Sequence, residues 1–166
     1  RELFFRKEKV MSMNTRTTRV IIVEDKPEEQ EKAQEAVRVA FGNAVLIHVA
    51  DTYTGYRKIS DRLFIDRDGW EKHEDVFIFT DMMFPAECGG KEEPNGLLVL
   101  EGCIFHGHPV AVCSDLCNGH NAQWLYPALD ALGKIHPLGN IPRETDSKNW
   151  ARAIKSLLHF WSHRLT

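Results

Sequence analysis

Three acidic residues stand where apolar runs end. RVIIVED (Arg19–Asp25) hands directly to Glu24 and Asp25, and VFIFTD (Val76–Asp81) closes on Asp81. A third run, PVAVCS (Pro109–Ser114), closes on a hydroxyl. A short β-branched run of this kind reads as a strand buried on both faces. The residue just past such a strand is fixed in position by the burial behind it and reachable from the loop in front. In a parallel sheet, ligands bind at the carboxyl ends of the strands, where strand order reverses. If the first and third strands are neighbours, Glu24, Asp25 and Asp81 meet at one edge. Three such charges raise one another's pKa unless a cation sits among them. Mg²⁺ suits the arrangement, because it binds one or two carboxylates together with water and phosphate oxygens.

The elements that must position these acids alternate along the chain. After the first strand, Pro27 is a good first-turn residue, and Ala33, Ala36, Val37, Ala40 and Phe41 form one apolar helical stripe. Gly42-Asn43 stops that helix. AVLIHVA (Ala44–Ala50) reads as a second strand, TGYRKISDRLFI as a second helix, and DRDGWEKHED as a charged loop. The third strand ends at Asp81, Leu97 to Phe105 forms a third helix, and PVAVCS is the fourth strand. Pro127 delays or kinks the next helix. IHPL stands for a fifth strand at the sheet edge, because Pro137 donates nothing to a ladder. Trp150, Ile154, Leu157, Leu158 and Trp161 share one face of a last helix, with Asp146 or Ser147 available as its cap. Strand and helix in alternation predict an α/β fold with a parallel sheet covered on both sides.

Composition narrows the class. The chain has 166 residues, 43% hydrophobic and 27% charged, with a net charge of −3. That length fits one domain. The charge argues against a dedicated nucleic-acid binder. The apolar runs fall well short of the ~20 residues a membrane-spanning helix needs. Four cysteines are too few for a disulfide framework at this length, which points to a reducing, cytoplasmic setting. Residues 1–17 carry charge without periodicity, and Met11 and Met13 both suit a native start. The reading sets this segment aside as a flexible N-terminal extension that lacks the apolar stretch of a signal peptide, and places one domain over 18–166.

In order and spacing these pieces resemble the response-regulator receiver domains (CheY-like). The resemblance runs from about Thr18 to Leu158. It rests on IIVED with its paired acids, TDMMFP with a proline four residues after the aspartate, Gly96 opening LLVL, and VAVCS ending in a hydroxyl. It implies a flavodoxin-like, doubly wound, five-stranded parallel sheet of order 2-1-3-4-5 with helices on both faces. It implies Asp81 as phosphoryl acceptor, with Glu24, Asp25, Asp81 and the Met83 backbone carbonyl holding Mg²⁺, and Ser114 bonding the phosphoryl group. It implies a histidine kinase or phosphotransfer protein as donor and a downstream protein as target, with no direct nucleic-acid or membrane contact. Any catalysis is the domain's own phosphotransfer and dephosphorylation. No output domain is expected after the last helix.

Two departures accompany the resemblance. The family carries a lysine just before a proline after the fifth strand, and NIPRE puts Ile141 there. Lys134 and Arg143 lie nearby without holding the family position. Leu138 lies about where an aromatic is expected. The loop AECGGKEEPN between Pro85 and Gly96 is longer than the family's, and the segment after Ser114 is enlarged as well. These departures keep open a second reading, a pseudo-receiver that binds partners without being phosphorylated. A Mg²⁺-dependent phosphohydrolase is a third, disfavoured because no D-x-D pattern places a general acid beside Asp81.

A rival metal reading concerns CIFHGHPVAVCSDLCNGH. Cys113, Cys117 and His120 approach zinc-ligand spacing but match no strong zinc signature. Cys113 in a buried strand behaves as a small hydrophobe.

Overall fold

The structure, a computed structural model, describes residues 17–65, 75–116 and 124–163. The segment set aside at the N-terminus therefore lies outside the described residues, except for Thr17. So do most of the charged loop after Ile65, and Cys117 and His120.

Burial explains the centre of the fold. Strands β1 (Thr18–Val23) and β3 (Asp75–Thr80), six residues each and buried over most of their length, lie inside the sheet. Beside them lie β2 (Leu46–Ala50) on one flank and β6 (Val110–Cys113) on the other, with the two-residue strand β7 (Arg143–Glu144) at the edge. All pairings are parallel, in the order β2-β1-β3-β6-β7. Counting only these five strands, that order is 2-1-3-4-5, as the resemblance implies. A separate antiparallel hairpin pairs β4 (Phe84–Pro85) with β5 (Glu92–Glu93).

Among the described residues, five helices cover the sheet: α1 (Pro27–Phe41), α2 (Tyr53–Ile65), α3 (Gly96–His106), α4 (Leu125–Ile135) and α5 (Trp150–Ser162). Because side chains alternate along each strand, the sheet feeds two cores. Ile21, Val23, Ile78, Val110 and Val112 meet residues of α2, α3 and α4, including Tyr56, Leu100 and Leu129. Val20, Ile22, Phe77, Phe79 and Ala111 meet α1 and α5 through Val37, Trp150, Ile154 and Leu157. Pro127 sits in the first turn of α4, where its missing N–H costs nothing.

The fifth strand differs from expectation. IHPL forms no strand; His136 to Gly139 makes a turn closed by Gly139 N–H on the His136 carbonyl at 2.7 Å. His136 is pinned there, donating from Nε2 to the His108 carbonyl and accepting the Leu138 N–H at Nδ1. The chain re-enters the sheet only at Arg143. Ile141 is a buried core residue before that strand, and Leu138 lies in the turn. The cap of α5 is neither Asp146 nor Ser147 but Asn149, whose Oδ1 accepts the Arg152 N–H.

Candidate phosphoryl-acceptor and metal site

The register of β1 on β3 aligns Val23 with Thr80, so the next residue on each strand reaches the same edge. Asp81 N–H donates to the Val23 carbonyl at 2.9 Å, and Glu24 N–H donates to the Ala50 carbonyl at 2.9 Å. These ladder bonds carry both acids one step past the strands without freeing their backbones. Glu24, Asp81 and Ser114 are all buried, and Asp25 is half-buried. One carboxylate oxygen from each of Glu24, Asp25 and Asp81 lies within 4.8 Å of the others. The predicted meeting of three acids is observed.

Asp81 is held on both oxygens. Its Oδ1 accepts from Ser114 Oγ at 2.6 Å and from the Met82 N–H at 2.6 Å. Its Oδ2 accepts from Lys148 Nζ at 2.6 Å. Lys148 Nζ also reaches Glu24 Oε2 at 2.7 Å. Ser114 is itself fixed by its N–H on the Glu144 carbonyl of β7, at 2.8 Å. Met83, whose carbonyl the resemblance implies as a ligand, follows Asp81 by two residues and is half-buried against the core.

The Met82 carbonyl accepts the Gly96 N–H at 3.0 Å, which seats the start of α3 directly on the Asp81-Met82 backbone. A Cβ at Gly96 would lie 2.6 Å from the Asp81 carbonyl oxygen and 2.7 Å from Met82 Cα. Only glycine allows that approach.

Lys148 corrects the sequence reading. The ammonium that Ile141 lacks is supplied from the connection between β7 and α5, four residues past Glu144. With the fifth strand at IHPL, the position expected for the lysine falls on Ile141, too early in the chain. Placing it at Arg143-Glu144 would have made Lys148 the first basic residue beyond the strand. Arg143 instead bonds Asp130 at 2.7 Å and lies over the Tyr126 ring.

A second residue escaped the sequence reading. The long loop after Pro85 contains the β4–β5 hairpin, which carries Glu92 on the side of the sheet edge where the charges of Asp25 and Asp81 act on it. Burial raises the Glu92 pKa, and the charges of Asp25 and Asp81 raise it further against the pull of Lys26. Gly89-Gly90 was the available hairpin signal in the sequence.

The electrostatics follow from burial. Desolvation and the neighbouring Asp81 charge push Glu24 up to about 7, against the lowering effects of Lys148 and the Lys26 N–H. Burial by itself would lower Lys148, but Asp81 and Glu24 outweigh it and keep the ammonium charged. The Lys148 ammonium thus bonds two of the three acids, Glu24 and Asp81. Asp25 Oδ1 is buried with no hydrogen-bond partner in the protein. A hard divalent cation fits this donor set: all-oxygen, anionic, with one buried oxygen unspent.

The zinc reading finds no support among the described residues. Cys113 is buried among residues of α1 and α5, while Cys103 is buried on the opposite face of the sheet. Desolvation holds both thiols well above their usual range. Neither belongs to a converging group of metal-ligating side chains among the described residues.

No model of a known protein family matches the chain, and no curated protein matches it. Solved structures do. The signal receiver domain of an HD domain-containing protein from Pseudomonas fluorescens Pf-5 superposes with a TM-score of 0.54 at 12% identity, over 90% of this chain and 93% of that one. The fold is that of a response-regulator receiver domain. The RcsB response regulator of Salmonella typhimurium matches this receiver fold with a TM-score of 0.52 and 13% identity, over 90% of this chain and 61% of that one. The Mn²⁺-bound form of response regulator Rcp1 matches with a TM-score of 0.50 and 17% identity, over 89% of this chain and 94% of that one. Among the described residues no helix is long and apolar enough to cross a membrane.

Proposed function

We propose that this chain is a receiver module of a phosphorelay, accepting a phosphoryl group on Asp81 from a phosphohistidine of a kinase or phosphotransfer protein. The observation that carries the reading is the convergence of Ser114 Oγ and Lys148 Nζ on the two oxygens of a buried Asp81. A carboxylate held only as a structural charge needs one cation. Here a hydroxyl and an ammonium flank it, beside two further acids.

In the transfer, an Asp81 carboxylate oxygen forms a bond to phosphorus as the phosphorus–nitrogen bond breaks. The electron pair of that bond stays on the imidazole nitrogen, and Asp81 becomes an acyl phosphate. Lys148 and Ser114 then have phosphoryl oxygens to bond in place of carboxylate oxygens. Glu24, Asp25, Asp81 and the Met83 carbonyl would hold Mg²⁺, which when bound neutralises charge developing on the phosphoryl oxygens. The Mn²⁺-bound state named for Rcp1 supports a divalent ion in this fold. The altered positions of Ser114 and Lys148 give a downstream protein a changed surface to read. We place the module in the cytoplasm, as one domain over 18–166.

The pseudo-receiver reading rested on Ile141 and on the enlarged loops, and Lys148 removes the first of these grounds. The test is incubation with Mg²⁺ and phosphoramidate or acetyl phosphate, followed by intact mass. A gain of one phosphoryl group that disappears in Asp81→Asn is the expected result. No adduct under saturating donor overturns the reading in favour of an unphosphorylated binding module. Sustained phosphate release from unrelated phosphoesters points instead to a phosphohydrolase.

A further inference from the structure

Between Glu144 and Trp150 the chain runs TDSKN, with no proline to fix a backbone angle on the way to α5. Lysine is a charge on a flexible four-carbon stem, and ordering it costs side-chain entropy. Lys148 is nevertheless held at one place, on Glu24 and Asp81 at once. Its backbone is the centre of a tight turn, in which the Asn149 N–H donates to the Ser147 carbonyl at 2.8 Å. What ties that turn to the rest of the molecule lies two residues further on.

Trp150 is buried at the start of α5 and donates from Nε1 to Glu29 Oε2, in the first turn of α1, at 2.9 Å. The other Glu29 oxygen accepts from Lys32 Nζ at 2.7 Å. One residue along, Gln30 donates from Nε2 to the Glu24 carbonyl at 2.6 Å. The same helical turn therefore grips both members of the Lys148–Glu24 pair, Glu24 through its own carbonyl and Lys148 through Trp150. Apolar packing alone would let an indole slide, whereas a buried N–H needs its acceptor at one place. The bond thus fixes α5, and the turn ahead of it, against α1.

We propose that Glu29, acting through the Trp150 indole, is a positioning residue that aims Lys148 in phosphoryl transfer. The inference rests on the phosphoacceptor reading of Asp81 and adds the residues that support its ammonium. In the transfer Lys148 exchanges a carboxylate oxygen for a phosphoryl oxygen. Its tip moves while its base stays fixed, and the Glu29–Trp150 bond is what fixes the base.

The test is the rate of phosphoryl uptake from acetyl phosphate with Mg²⁺, read by intact mass on variants of the whole chain whose folding a thermal melt has verified. Trp150→Phe keeps a ring in the core and removes the N–H. It should slow uptake roughly tenfold, the low end for a lost hydrogen bond to a charged group. Glu29→Ala should slow uptake as much, and Glu29→Gln, whose amide oxygen still accepts from the indole, should recover most of the lost rate. Lys32→Ala, at the exposed end of the chain of bonds, should stay within about twofold of the unaltered protein. In a Lys148→Met background, Trp150→Phe should change uptake by less than about twofold, because the group it positions is gone. The contrast between Glu29→Ala and Glu29→Gln stands whether or not that background folds. Unchanged uptake in a folded Trp150→Phe, or equal slowing with and without Lys148, overturns this inference and leaves the acceptor reading standing. Absence of uptake by the unaltered chain overturns both.

Discussion

Lys148 Nζ stands 2.6 Å from Asp81 Oδ2, joining residues 67 positions apart in the chain. The same nitrogen bonds Glu24, so a loop ahead of the last helix closes the charge balance of two strand ends. The three side chains are nearly inaccessible.

Removing that ammonium leaves two buried carboxylates facing each other. Lys148→Met should destabilise the chain by about 3–5 kcal/mol, the range for breaking a buried pair from one side. Glu24 already protonates near 7, so the deficit should shrink in mildly acidic buffer, where one of the stranded charges is neutralised. Urea unfolding at mildly alkaline and mildly acidic pH measures both effects. An unchanged midpoint in alkaline buffer would show that Lys148 contributes no net stability.

Gly96 allows α3 to sit against Asp81 and Met82. Gly96→Ala should cost about 1–3 kcal/mol by overpacking, because two of the atoms it meets are backbone and move only with the strand end. Denaturant unfolding gives the loss. Phosphoryl uptake should fall as well, since the shift displaces Asp81.

Ser114 donates to Asp81 without touching Lys148's oxygen. Ser114→Ala should slow uptake from a small phosphodonor by roughly tenfold to a hundredfold, the worth of one hydrogen bond to a charged group. Mn²⁺ affinity should change little, because the hydroxyl is no ligand in the proposed set. Comparable losses in both measurements would assign Ser114 a structural role instead.

At the far end of the sheet, burial and the neighbours His106 and His136 push His108 down to about 4 from 6.5. Between those values the unfolded chain binds the proton and the folded chain does not, so stability is lost as pH falls. The loss should be on the order of 1–3 kcal/mol, discounted for partial exposure. His108→Gln should abolish this part of the slope. Glu24 acts in the opposite sense, its raised value making stability fall as pH rises through about 7, but it is common to both proteins and cancels in their difference. Parallel unfolding curves from mildly acidic to neutral pH would rule out His108 as the source.

Local sequence determined the parts of this protein that depend on contiguous residues. Runs such as RVIIV and VFIFT read as buried strands from their length and β-branched or aromatic content, and the residue following each is carried to the sheet edge by the register. The acceptor cluster of Glu24, Asp25 and Asp81 was therefore legible, as was the hydroxyl of Ser114. The edge strand was not, because two residues at Arg143-Glu144 carry no periodicity and pair only where β6 offers a ladder. Lys148 and Glu92 belong to connections whose course is set by distant anchors: β7 and the Asn149 cap for one, the Asn95 bond to Phe84 and the Thr54 bond to Ala86 for the other. Lys148 reaches Glu24 and Asp81 through packing rather than spacing along the chain, so tertiary structure alone decided how the charge of the site is met.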